Sequence, residues 1–166
     1  MRAGPLALSA LIVIVLQTSV MPRFSTAGGA HPDLVLVLAV VSALADRRGA
    51  GWKIGLVMGA AQDLVSARYL GLFAGTRALA GYVTGLVERR FFRGRVVLPF
   101  TLCLASTWLA EGAAFLLLYM TGLKLAYEEI FLEVIGPASI MNGILGVIVY
   151  GPWIWVLNRY ILSDRG

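Results

Sequence analysis

Histidine and cysteine are almost missing from this chain, which has one of each, His31 and Cys103. One thiol inside an apolar run builds neither a disulfide framework nor a Cys/His metal site, and it says nothing of redox compartment. His31 stands before a proline at the edge of an apolar run and reads as a loop residue. Nucleophile–base chemistry therefore has no histidine at membrane depth. The Gly-x-Ser-x-Gly, His-Glu-x-x-His and Walker patterns are absent as well. Charge is also scarce, at 14% of residues, where an ordinary soluble domain carries about a quarter. Hydrophobic residues make up 59% of the 166 positions and mean hydropathy is +0.83. Too few polar residues remain to cover a water-facing surface. An aspartyl dyad of Asp33 and Asp63 is geometrically open, both lying toward the same end, yet no local pattern supports it. The sequence thus points away from an enzyme and implies no cofactor or metal.

What the chain does have is long apolar runs. A spanning helix needs roughly 17–25 mostly apolar residues, so a chain of this size holds about six with tight connections. The expectation is an all-α, polytopic membrane helical bundle, one integral membrane domain over residues 1–166. The runs are Leu6–Met21, Leu34–Ala45, Ile54–Val65, Leu70–Val87, Val96–Tyr119 and a last one from Gly136-Pro137 to Leu162. A signal peptide is the rival reading of the first run; that run is long for a signal core, and its removal would spoil the charge alternation. The second and third runs are short, since twelve residues cover only about 18 Å of a core about 30 Å thick. A re-entrant hairpin would carry Asp46, Arg47, Arg48 and Lys53 into the membrane at several kcal/mol each. Two tilted or partly sunken spans are the better expectation. Lys124–Glu133 has charges one helical turn apart and reads as a short surface helix. Pro152 is placed to kink the last span, while Trp153, Trp155 and Tyr160 suit the interfacial belt.

The net charge of +5 could be taken for nucleic-acid binding, but the basic residues form no groove or stripe. They gather at helix ends. With the N-terminus inside, the inner segments hold Arg2, Arg47, Arg48, Lys53, Arg89, Arg90, Arg93, Arg95, Arg159 and Arg165, and the outer segments only Arg23, Arg68 and Lys124. This asymmetry favours both termini in the cytoplasm. The Arg89–Arg95 cluster is then a topology anchor, with anionic lipid as a secondary contact.

Ionisable groups within spans are costly and become functional candidates by default. Here they are Asp33, Asp63, Arg77 and Glu111, with Gln62 and Asn142 as polar companions. Gly51, Gly55, Gly59 and Asp63 recur every four residues, as do Arg77, Gly81 and Gly85, so each set forms one helix stripe. Small residues at this spacing let backbones approach closely. They serve internal packing first, or a partner's helix. An Asp63–Arg77 or a Glu111–Arg77 ion pair is expected inside the bundle, and spacing does not choose between them. Such a pair either locks helix register or, less simply, forms part of a proton or substrate path.

The stretch from Pro32 to Gly94 resembles the rod shape-determining protein MreD family. The resemblance lies in "PDLVLVLAVVSAL", "GLVMGAAQDLVSARYLG" and "ALAGYVTGLVERRFF", in that order and spacing. It implies a non-enzymatic inner-membrane component of the bacterial cell-elongation machinery. The implied partner is MreC through its membrane anchor helix, with RodA, its transpeptidase and MreB reached indirectly. Six-helix substrate-binding subunits of energy-coupling-factor vitamin transporters are similar in layout, and such a subunit is the alternative function.

Overall fold

A computed structural model describes residues 3–26, 28–45, 50–66, 70–88, 97–122 and 130–161. Among them every regular element is helical. The six α-helices are α1 (Ala3–Ser19), α2 (Leu34–Ala45), α3 (Ala50–Ser66), α4 (Leu72–Glu88), α5 (Val97–Met120) and α6 (Gly136–Val156). A 3₁₀ turn, Met21–Phe24, follows α1, and wider π-helical turns, Ile130–Ile135 and Leu157–Ile161, flank α6. Two helical stretches, Val97–Met120 and Glu133–Tyr160, are long and apolar enough to cross a bilayer.

The centre of the bundle is α2. Its Leu-Val-Leu-Val-Leu-Ala-Val-Val sequence would suit a strand in water, because β-branched residues pack well on a pleated surface. In apolar surroundings every backbone group must find an internal partner, and a helix achieves this within one segment. All ten residues from Leu34 to Ala43 are buried. Leu34, Val35, Val37, Leu38, Val40 and Val41 pack with Leu6, Ala10, Val13 and Ile14 of α1, Ile54 and Met58 of α3, Cys103 of α5, and Trp153, while Leu36 packs with Ala80 and Ala110. Enclosure of these ten residues explains how so short a helix is tolerated: protein, rather than lipid, meets their surface.

Helix α3 lies along α4 at backbone contact. A Cβ on Gly55 would stand 2.5 Å from the carbonyl oxygen of Arg77, one on Gly59 would meet that of Phe73 at 2.7 Å, and one on Gly81 would meet Gly51 at 2.6 Å. Gly51 also approaches Ala43 of α2. Apolar attraction gives little reason for helices to associate when lipid is equally apolar, so close backbone packing of this kind supplies the cohesion. Helices α5 and α6 use the same device: Gly143 lies against Phe100 and Gly146 against Cys103.

Several boundaries differ from the sequence reading. Helix α3 begins at Ala50 rather than Ile54, because Lys53 does not end the helix; its ammonium lies 5.7 Å from the centre of the Trp52 ring while its stem stays in register. The last helix does not open at Gly136-Pro137. The chain is already helical at Ile130, and Ile135 has helical dihedrals (φ −69°, ψ −42°). Pro137 lacks an N–H and its ring crowds a carbonyl in the preceding turn, and a wide turn just upstream accommodates both. The expected surface helix over Lys124–Glu133 falls mostly outside the described residues, and its end, from Ile130, belongs to this wide turn. Finally, Trp153 is not in the interfacial belt. It is buried, and its indole N–H donates to Ser42 Oγ at 2.7 Å. Trp155 and Tyr160 are exposed and stack edge to face, 5.7 Å apart.

Candidate functional site

The polar candidates gather at one end of the bundle, where α1, α3 and α5 approach their C-termini and α2, α4 and α6 begin. The start of α2 organises them. A helix leaves its first N–H groups without intrahelical partners, and here water is excluded from them. Asp33 precedes the helix; its Oδ1 accepts the N–H of Leu36 at 2.9 Å, the arrangement of an N-cap. Gln17, from the last turn of α1, accepts the N–H of Leu34 at 2.7 Å and donates to the carbonyl of Pro32 at 3.2 Å. Asn142 of α6 accepts the N–H of Asp33 itself at 2.7 Å and donates to Thr107 of α5 at 3.0 Å. Three other helices, α1, α5 and α6, thus close over one helix end.

Arg77 lies beside this cap, buried between α2, α4 and α5. Its Nη2 donates to Asp33 Oδ2 and, at 3.1 Å, to Glu111 Oε1. Its Nη1 donates to Thr76 Oγ1 at 2.9 Å, and the guanidinium lies 4.8 Å from the centre of the Phe73 ring. The Nε has no hydrogen-bond partner among the described residues. A buried cation needs both charge compensation and hydrogen bonds, and Arg77 draws its compensation from two helices at once. Exposure is uneven: the side chains of Arg77 and Asp33 are 3% and 8% exposed, whereas that of Glu111 is 33% exposed.

Of the two ion pairs expected from sequence, Glu111–Arg77 forms. Asp63–Arg77 does not, because the Asp63 carboxylate is committed elsewhere. Asp63 is buried near the end of α3 and accepts the N–H groups of Gly71 at 3.0 Å, Phe73 at 2.9 Å and Ala74 at 3.0 Å. It caps α4 from the neighbouring helix, and its negative charge meets the positive end of the helix dipole. The left-handed backbone of Gly71 (φ +91°) turns the chain into that position. The two aspartates therefore hold separate sets of partners and make no proton-sharing dyad.

Gln62 is buried, with its Oε1 unpartnered among the described residues, and Asn142 bridges α2 to α5 as described. The glycine candidates require a correction. Gly55, Gly59 and Gly81 are filled from within by the α3–α4 contact and present no free face to a partner's helix. At Gly85 the nearest atom to an added Cβ is the Ala43 side chain, 4.0 Å away, so this position is not tightly packed.

Sequence reasoning passed over Asp33 as the main partner of Arg77, naming Asp63 and Glu111 instead. The signal was present: Pro-Asp immediately before an apolar run is an N-cap pattern, and an N-cap on an enclosed helix is itself enclosed. It also missed Gln17, Thr76 and Thr107, which carry no charge and have no distinguishing spacing.

Comparison with protein-family models matches residues 4–161 to the rod shape-determining protein MreD. No curated protein and no solved structure matches the chain.

Proposed function

Since the chain belongs to the family of rod shape-determining proteins MreD, a family of membrane proteins, we propose that its part in rod-shape determination is that of a non-catalytic scaffold binding MreC. In this reading it is a single domain over residues 1–166 that crosses the bacterial inner membrane about six times, with both termini in the cytoplasm. It holds the membrane anchor helix of MreC and, through that complex, helps regulate peptidoglycan synthesis by RodA and its transpeptidase in register with MreB.

One observation supports a scaffold above all. The interior polar groups are bonded mainly to one another and to helix ends: Asp33 to Arg77 and Leu36, Asp63 to three N–H groups, Asn142 to Asp33 and Thr107. Groups engaged in this way fix helix positions instead of waiting for a substrate. The test is affinity purification of the tagged full-length chain from detergent-solubilised membranes, together with depletion in rod-shaped cells. MreC is expected in the eluate and the depleted cells should become round. A well-folded protein that ignores MreC and retains a vitamin-like small molecule would overturn the reading.

A further inference from the structure

We propose that Glu111 receives a basic side chain from the transmembrane helix of the partner, docked on α5 beside Gly112. This rests on the scaffold reading above and specifies where the partner is held.

Charge carries the inference first. Asp33 and Glu111 share one guanidinium, so the cluster holds one more negative charge than positive. Among the described residues Arg77 is the one cation in ion-pair contact with either carboxylate. An uncompensated charge within a span is costly and calls for a counter-charge. The two carboxylates are not equally placed to receive it. Asp33 is enclosed, with one oxygen on Arg77 and the other on the N–H of Leu36. Glu111 is one-third exposed on the side chain, so the open position of the cluster is at Glu111.

The surface beside it fits a helix. A Cβ added to Gly112 would meet nothing within 4 Å, in contrast to the filled glycines of α3 and α4. Ala105 is exposed on the same helix, and it lies seven positions before Gly112, which places the two on one face. Glu111 borders that face. It lies fourteen residues into α5, about 21 Å along the helix axis at about 1.5 Å per residue, within reach of a lysine or arginine in the outer half of a facing helix. The occupant we assign is therefore a single transmembrane helix carrying Lys or Arg at that depth.

The test is co-purification of MreC with the tagged full-length chain, comparing wild type, Glu111→Gln and Gly112→Leu, with thermal melting of each protein measured in the same detergent. Retained MreC should fall at least tenfold in both variants, while Gly112→Leu melts like wild type because its side chain projects into open space. Glu111→Lys combined with a Glu in place of the basic residue in the MreC anchor should restore binding, which an intramolecular counter-charge would not do. Full retention of MreC by both variants overturns the inference and leaves the scaffold reading standing. Loss in Gly112→Leu alone overturns the charge pairing and means that a proton neutralises Glu111. Should Glu111→Gln fail to fold, Gly112→Leu decides by itself, and retention there overturns the docking face. A wild-type protein that holds no MreC overturns the scaffold reading as well.

Discussion

Asn142 of α6 accepts the backbone N–H of Asp33 at 2.7 Å across 109 positions of sequence. A side chain late in the chain thereby completes the N-terminus of a helix formed early in it, and the same amide reaches on to Thr107. Removing it leaves a donor unsatisfied where water is excluded, at a cost of about 1–3 kcal/mol. Asn142→Ala should therefore lower the melting temperature of the purified protein by several degrees. Unchanged melting would show that the start of α2 is not held from α6.

The Asp33–Arg77–Glu111 cluster makes a prediction about order of severity. Asp33→Leu takes from Arg77 its enclosed partner and from Leu36 its cap, and breaking a buried pair on one side costs about 3–5 kcal/mol. It should reduce accumulation more than Glu111→Gln, which keeps the shape and a hydrogen-bond acceptor. The double variant Asp33→Leu/Arg77→Leu should be less damaging than the sum of its parts. Strict additivity in thermal melts would show the pair to be uncoupled.

Asp63 offers a second, separable effect. Of its three N–H partners, Phe73 and Ala74 lie in the first turn of α4 and Gly71 just before it, so Asp63→Ala should fray that end. Asp63→Asn keeps one acceptor oxygen and should retain part of the stability. Hydrogen exchange at Phe73 and Ala74 is the direct measurement, with faster exchange expected in the alanine variant. Identical protection in both variants would deny the cap.

Glycine positions divide sharply. Leucine at Gly55, Gly59 or Gly81 meets backbone atoms 2.5–2.7 Å from its Cβ, so these variants should fail to accumulate. Alanine at Gly75 or Gly112 meets nothing within 4 Å and should stabilise by roughly 0.5–1 kcal/mol, as alanine does in a helix interior. Fluorescence-detected size exclusion separates the two classes, and a monodisperse Gly55→Leu protein would contradict the packing described.

Orientation is tested independently. Cysteines introduced at Arg48 and Arg93 should resist an impermeant thiol reagent in intact cells, since basic residues concentrate on the cytoplasmic side. Native Cys103 is buried and should add little background. Labelling at both introduced positions would reverse the topology.

Helix number and most boundaries were legible because apolar run length and glycine spacing are local properties. Leu34–Ala45 was found to the residue from composition alone. Which groups meet was much less legible. Arg77 takes Asp33, 44 positions away, and Asp63 takes backbone N–H groups of the next helix; neither choice follows from the spacing within one segment. The glycine stripes were read correctly as close-packing devices, but sequence could not tell that α4 occupies the stripe on α3. Trp153 shows the same limit: an indole near a chain end suits an interface, and only the fold reveals Ser42 opposite it.

The enclosure of α2 has a consequence for synthesis. Asp33 leaves the ribosome long before Asn142 exists; at 5–20 residues per second, 109 residues take about 5–20 s. For that interval the segment has neither its late hydrogen bond nor the wall supplied by α5 and α6. A nascent chain halted after α4 therefore presents an apolar helix headed by an aspartate whose bond to Asn142 is still to come and whose partner Arg77 still lacks Glu111. The insertion machinery must hold this segment in a protected place until the last two helices arrive, so the protein's innermost helix is among the first made and the last to be finished.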